Sequence, residues 1–474
     1  MSDLAYLSAA EALNRFRRLD LSPVEFMEAV LARGAATEPR INAFTATFGE
    51  QALDEAASAA DAYVAGTARP LEGIPVAVKD EDYIAGQHST MGSLLFADNI
   101  AEETSPLAQR VLDAGAIVHA RTTTPEFSTN IVTWSLLHGI TRNPWNPEFT
   151  SGGSSGGAGA SLAAGSTTLS TGSDIGGSIR IPASMNGVVG FKAPFGRVPE
   201  VWPWNREPYV ASGPLARTVA DTALLQNVIS GPLLGNMWSS PPLELPDSYP
   251  PVEGMRIALS PDLGYFEVDA DILAALESAA ERLRSLGASV ERIDLDWTHR
   301  IKEVAEEHLF FQMGAVLRAE LPEGWEDRVT SYVADYFAQD PVTVEQWIDG
   351  WQHMDGVYRE LEEKTFVSGF DAMICPTLAT TAIPADWGHP DTGEAVPLDQ
   401  ALEVAMTYPF NALGRLPVLD VPIGISSDTG VPIGVQIVGP VEQDQVPFRV
   451  GAALEAVEGP LFERMRPGSV PAGE

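Results

Sequence analysis

Lysine is scarce in this chain: four (Lys79, Lys192, Lys302, Lys364) stand against twenty-five arginines in 474 residues. Yet Lys79 closes the apolar run Gly73-Ile74-Pro75-Val76-Ala77-Val78, which reads as a buried strand. A buried ammonium is costly, and its usual response is to lose the proton. The amine left behind is a base. Downstream lie two glycine-embedded serines that such a base can activate. One is in Gly152-Gly153-Ser154-Ser155-Gly156-Gly157, the other in Gly172-Ser173-Asp174-Ile175-Gly176-Gly177-Ser178-Ile179-Arg180.

Glycine beside serine removes Cβ groups, so a substrate carbonyl can come close to the backbone and the chain can take φ > 0. The run Ile175-Gly176-Gly177-Ser178 has almost no side-chain cover over its amides. A sharp turn there would converge the N–H groups on one oxygen, the geometry of an oxyanion hole. Asp174 and Arg180 flank Ser178 and carry the charges to pair and brace the loop. Each feature alone has a plainer reading. A lysine at a strand end is usually a snorkelling surface cation, and Gly/Ser clusters are more often linkers. A linker, however, is not normally followed by a second Gly-Gly-Ser and flanked by long apolar patterns.

In these segments the chain resembles the amidase signature family, serine hydrolases with a Ser–cis-Ser–Lys triad. The resemblance runs through Gly73 to Asp80, Gly139-Ile140-Thr141-Arg142-Asn143-Pro144-Trp145-Asn146, both serine clusters and Ile181-Pro182-Ala183-Ser184. It continues in Ser212-Gly213-Pro214-Leu215-Ala216-Arg217-Thr218, Pro409-Phe410-Asn411 and Pro432 to Gly439, so it spans nearly the whole chain. It implies Ser178 as nucleophile, Ser154 as bridging serine after a cis peptide from Gly153, and Lys79 as base. It places the oxyanion-hole amides on Ile175, Gly176, Gly177 and Ser178, with Ser155, Asp174 and Arg180 in support. It implies an α/β fold with a large mixed sheet core between helical layers, one domain over residues 1–474 and a signature core over 73–230. No cofactor or metal is implied. Asp420 stands where many members carry a small hydroxyl residue.

The chemistry is consistent with that assignment. A serine hydroxyl is a poor nucleophile at neutral pH and needs a base within hydrogen-bond reach. Neutral Lys79 accepts a proton from Ser154 as Ser154 takes one from Ser178, and Ser178 attacks an acyl carbon. Each amide that holds the oxyanion is worth roughly 10²–10³-fold in rate.

The elements that position these groups are legible in outline. Residues 8–64 show helical periodicity, and Ser22-Pro23-Val24-Glu25 is a good helix start, with serine as cap, proline first and glutamate third. From 73 to 230 apolar strands alternate with helices, which predicts a mixed, largely parallel sheet. Ser105-Pro106 starts a helix to Ala114, with Gly115 as its stop. Ala158 onward reads as a small-residue helix and 167–171 as a strand. Further strands are expected at 255–259, 371–376, 416–425 and 431–438, with an amphipathic helix over 270–286. A helical region rich in Trp and acidic residues, about 300–368, is a candidate substrate cover.

Composition narrows the function. With 45% hydrophobic residues the chain can bury a large core. The one cysteine, Cys375, lies in an apolar strand pattern, so neither an intramolecular disulfide nor a cysteine metal cluster is available. The N-terminal residues show no secretory signal and no apolar run is long enough for a bilayer, so a cytoplasmic location is the default expectation. A net charge of −36 argues against nucleic acid as a ligand.

The expected partner is a small-molecule amide or carbamate. Trp202, Trp204 and Tyr209 follow the nucleophile segment, and an aromatic pocket there would favour an aryl or bulky neutral acyl-N compound. The same aromatics could equally pack loops onto the core. Two other functions stay open. Gly152-Gly153-Ser154-Ser155-Gly156 matches the nucleophile elbow of α/β-hydrolases, with Ser154 acylated and His299, His308, His353 or His389 as the later base. An amidotransferase-type glutaminase subunit is the other, although the region after Arg197 departs from that pattern.

Overall fold

The computed structural model describes residues 4–339, 341–392 and 398–467. Its strands, in chain order, are β1 (Phe44–Thr47), β2 (Pro75–Lys79), β3 (Ile117–Thr122), β4 (Trp134–Ser135), β5 (Gly139–Ile140), β6 (Leu169–Asp174), β7 (Val189–Lys192), β8 (Ala211–Ala216), β9 (Arg256–Leu259), β10 (Ser289–Arg292), β11 (Ala372–Pro376), β12 (Val418–Ile425) and β13 (Pro432–Val438). β4 and β5 form a small hairpin, and the other eleven strands make one sheet in the order β1-β3-β2-β6-β8-β7-β12-β13-β11-β9-β10.

The sheet is mixed, as expected, but it is not largely parallel. β2 pairs in parallel with β3 and β6, and β9 with β10 and β11. The stretch from β6 through β8, β7, β12 and β13 to β11 is antiparallel throughout, and so is β1 on β3. Two parallel flanks therefore enclose an antiparallel centre.

The early helices are α1 (Ala9–Arg17), α2 (Pro23–Ile41), α3 (Gly49–Ala65) and α4 (Pro106–Asp113). The signal at Ser22 is real: Ser22 and Glu25 close a capping box with Pro23 in the first turn. Ser105 caps α4 by accepting the Ala108 N–H. The strand β1 lies inside the region read as helical, because four residues with no buried member, between two helices, leave little local pattern.

Next come α5 (Gly156–Ala164), α6 (Arg180–Asn186), α7 (Val219–Ile229) and α8 (Ala270–Ser285). Alternate strand residues serve opposite faces of the sheet. Ile374, Leu419 and Ile437 pack with Val76 and Val78 on one face, whereas Met373, Cys375, Val418 and Val438 pack on the other. The same alternation turns Lys79 away from the face that takes Val76 and Val78. α5 packs on β2, β3, β6 and β8. It comes this close because it is built from small residues; a methyl group on Gly157 would overlap the Ala43 carbonyl and the Thr123 hydroxyl.

The region from 300 is helical, with α9 (Arg300–Glu320), α10 (Ser331–Phe337) and α11 (Val344–Lys364). Cys375 is fully buried in β11, and burial pushes its thiol up, away from the reactive thiolate. No described helix is long and apolar enough to cross a membrane.

Candidate active site

Parallel pairing of β2 with β6, in register at Val76–Leu169 and Ala77–Ser170, brings the carboxyl ends of both strands to one edge. Ligands of α/β sheets commonly bind outside such strand ends. Lys79 ends β2 there, and Ser173 and Asp174 end β6. The Lys79 backbone N–H is held by the Thr171 hydroxyl at 3.2 Å.

Lys79 is completely buried. Its Nζ lies 2.8 Å from Ser154 Oγ, 2.9 Å from Ser173 Oγ and 3.1 Å from Glu81 Oε1. Ser154 stands in the turn just before α5, and the Gly153–Ser154 peptide is cis, as the resemblance implies. Ser155 ties the two serine clusters together, because its N–H donates to the Ser178 carbonyl at 3.1 Å. Ser178 is slightly exposed, and its hydroxyl makes no hydrogen bond among the described residues.

The loop from Asp174 to Arg180 is braced by a buried ion pair. Arg180 donates Nε and Nη2 to the two Asp174 carboxylate oxygens at 2.9 and 2.8 Å, with both side chains fully buried. Burial works against the Asp174 carboxylate, but Arg180 and the Asn411 hydrogen bond outweigh it and hold the group below its ordinary range. The remaining Arg180 donors go to the Thr407 carbonyl, Gln436 and Asn411, so the buried guanidinium is well satisfied.

That brace also fixes a peptide plane. Asp174 Oδ1 accepts the Gly177 N–H at 2.8 Å, and the Thr407 hydroxyl donates to the Gly176 carbonyl at 2.6 Å. Among the four amides expected for an oxyanion hole, that of Gly177 is thus engaged within the loop. The amides of Ile175, Gly176 and Ser178 have no protein partner among the described residues. Gly177 sits at φ +128°, and a methyl there would overlap Thr407, whereas a methyl on Gly176 would meet open space.

Beside this loop is a cavity walled by Tyr83, Met91, Phe127, Trp202, Trp204 and Met313, reaching Ser173 and Ile175. Its lining also includes the acidic residues Glu81, Asp82, Asp174 and Glu200, and no lysine, arginine or histidine. Burial, then the neighbouring carboxylates, pushes both Asp82 and Glu200 up to about 7. Trp204 and the largely exposed Trp202 line this cavity, and Tyr209 does not. Its ring is buried and stacks on His308, centroids 3.7 Å apart and planes 6° apart.

A family model for amidase matches residues 25–446. The chain belongs to the amidase signature family. It is 32% identical over 476 residues to an acylamidase of Rhodococcus erythropolis, covering 96% of each chain. It is also 32% identical over 481 residues to a glutamyl-tRNA(Gln) amidotransferase subunit of Thermosynechococcus vestitus, covering 95% of this chain and 98% of that one. Its fold matches a bacterial aryl acylamidase of the same family with a TM-score of 0.89 at 27% identity, over 98% of this chain and 99% of that one. This amidase is accordingly a hydrolase acting on carbon–nitrogen bonds.

The nucleophile-elbow alternative has no support in this amidase. An elbow needs a strand before its serine and a histidine beside it. The residues before Ser154 form no strand, and its side-chain partner is Lys79. His308 is instead held by Glu207 at 2.7 Å.

Asp420 is fully buried on β12, accepts a hydrogen bond from Thr377 with Oδ1, and leaves Oδ2 without a partner among the described residues. Burial pushes its carboxyl well above the ordinary range. Its side chain occupies the space that a Cβ on Gly434 would need.

Sequence reasoning missed Glu81, Ser128, Ser173 and Thr407. Glu81 lies in the turn after β2, beyond the reach of strand periodicity. The hydroxyl residues left no signal.

Proposed function

We propose that this amidase hydrolyses a neutral amide or carbamate, aryl or bulky and hydrophobic, through an acyl-enzyme on Ser178. The observation that carries the reading is the 2.8 Å contact between buried Lys79 Nζ and Ser154 Oγ, in the turn tied to Ser178. Uncharged Lys79 takes the Ser154 proton as Ser154 takes the Ser178 proton, and Ser178 Oγ bonds to the acyl carbon. The oxyanion is held by the free amides of Ile175, Gly176 and Ser178. Collapse breaks the C–N bond, and the proton returns from Lys79 through Ser154 to the leaving nitrogen. Water then adds by the same route and frees Ser178. With a carbamate, breaking the C–N bond frees the amine at acylation, and water releases a carbonic acid monoester that loses carbon dioxide to give the alcohol.

The substrate class follows from the cavity. Its aromatic and thioether walls fit an aryl or alkyl group, and its carboxyl groups repel an anion. Met313 places α9 against this cavity, which supports a covering role for the 300–368 region. The second reading, a glutaminase subunit, is favoured by the similarity to an amidotransferase component. Glutamine carries an α-carboxylate, and a lining without lysine or arginine offers it no cation. A hydrolysis screen over anilides, aryl carbamates, esters and primary amides decides between them. Turnover of anilides or carbamates with none of glutamine is the expected result, and glutamine as the preferred substrate would overturn it.

A further inference from the structure

We propose that Glu81 is a positioning residue that holds Lys79 as an ammonium between Ser154 and Ser173, so that the proton relay rests in a charged state and opens only when Lys79 releases a proton to water. The inference rests on the assignment of Lys79 as the base.

The geometry around Nζ carries it. Three acceptors surround the nitrogen at 2.8, 2.9 and 3.1 Å (Ser154, Ser173 and Glu81), matching the three N–H bonds of an ammonium. A neutral amine has two N–H bonds and a lone pair, so one of these contacts must reverse before Ser154 can donate. Burial alone favours the uncharged amine, but an anion at this distance favours the cation. Glu81 is itself held in place. Ser128 donates to its second oxygen and Ser173 to the carboxylate. Ser128 and its neighbour Phe127 both adopt left-handed backbone conformations, φ 59° and 52°, which non-glycine residues seldom do. Such a conformation, kept beside a functional group, marks a segment whose aim matters.

No other nearby group can replace Glu81. Asp80 is engaged by Thr90, Asp174 by Arg180 and Glu126 by Ser93. Arg121 donates to the backbone carbonyls of Lys79 and Asp80. Asp82 and Glu200, the remaining acids near the pair, are raised by burial, whereas the half-buried Glu81 is held below its ordinary range, chiefly by Lys79. The charge sits on Glu81.

The test reads protonation directly. With four lysines in the chain, ε-15N-lysine labelling gives few signals, and Lys79→Met assigns the one of interest. The wild-type signal is expected to be that of an ammonium at pH 7. In Glu81→Gln, the acid limb of kcat/KM and of fluorophosphonate labelling should move down by about one pH unit or more, because the cation has lost its anion. Glu81→Asp should keep the wild-type limb. A neutral amine in the wild type at pH 7, or an acid limb unmoved in Glu81→Gln while Lys79→Met is inactive, overturns this inference alone. Labelling of Ser178 that survives Lys79→Met overturns the relay and the inference with it.

Discussion

Asp174 accepts the Gly177 N–H at 2.8 Å and thereby engages one of the four backbone donors proposed for the oxyanion hole. The same carboxylate carries both forks of Arg180. Asp174→Asn removes the anion and leaves a buried guanidinium uncompensated, a change that typically costs about 3–5 kcal/mol. Chemical denaturation should show a loss of that order, with kcat falling as the loop loosens. A variant with wild-type stability would mean that Arg180 finds its compensation elsewhere.

Two adjacent glycines should respond differently to one methyl group. Gly176→Ala projects into open space and should fold with nearly unchanged Tm. Gly177→Ala must take φ +128° and overlap Thr407, so a lower Tm and slower acylation are expected, with strain of about 1–3 kcal/mol. Equal Tm values for the two variants would contradict a 176–177 peptide whose N–H points to Asp174 and whose carbonyl points to Thr407.

Of the four acidic residues lining the cavity, Asp174 is paired with Arg180, and the other three predict discrimination by charge. An anilide with a 4-carboxylate on its ring should be hydrolysed more slowly than its 4-methyl counterpart. Asp82 and Glu200 are both raised to about 7, so they carry more negative charge at pH 8 than at pH 6. The kcat/KM ratio between the substrates should therefore widen as pH rises through 7. A ratio that is flat with pH would place the substrate ring outside this cavity.

Asp420 gives a stability prediction with a definite sign. Its carboxyl is raised in the folded state, so the folded protein binds the proton more tightly than the unfolded chain. Its contribution is fully present below the unfolded pKa and is lost as pH rises through the folded value. Asp420→Asn removes that loss. Thermal melts should show the variant gaining on the wild type between pH 5 and pH 9, and a constant Tm difference over that range would count against a protonated Asp420.

The residues proposed as the triad are legible because they sit in local patterns: a lysine after an apolar strand, and two serines between glycines. What surrounds them is not. Thr407 meets Gly176 across 231 residues, and Tyr332 reaches the Glu126 amide across 206. Threonine and tyrosine are common enough that nothing singles them out beforehand. Nearness to Trp202 and Trp204 in sequence makes Tyr209 a pocket candidate, yet a histidine almost a hundred residues away claims its ring. Strand existence was readable from hydrophobic runs, but strand direction was not. An alternating strand–helix rhythm predicts parallel pairing, whereas β6 and β8 pair antiparallel although they are not neighbours in the chain.

The most direct test of the relay is mass mapping of a fluorophosphonate adduct on the wild-type enzyme and on Lys79→Met. The relay predicts a single adduct on Ser178 in the wild type and none in the variant. An adduct on Ser154, or equal labelling of Ser178 without Lys79, would contradict it.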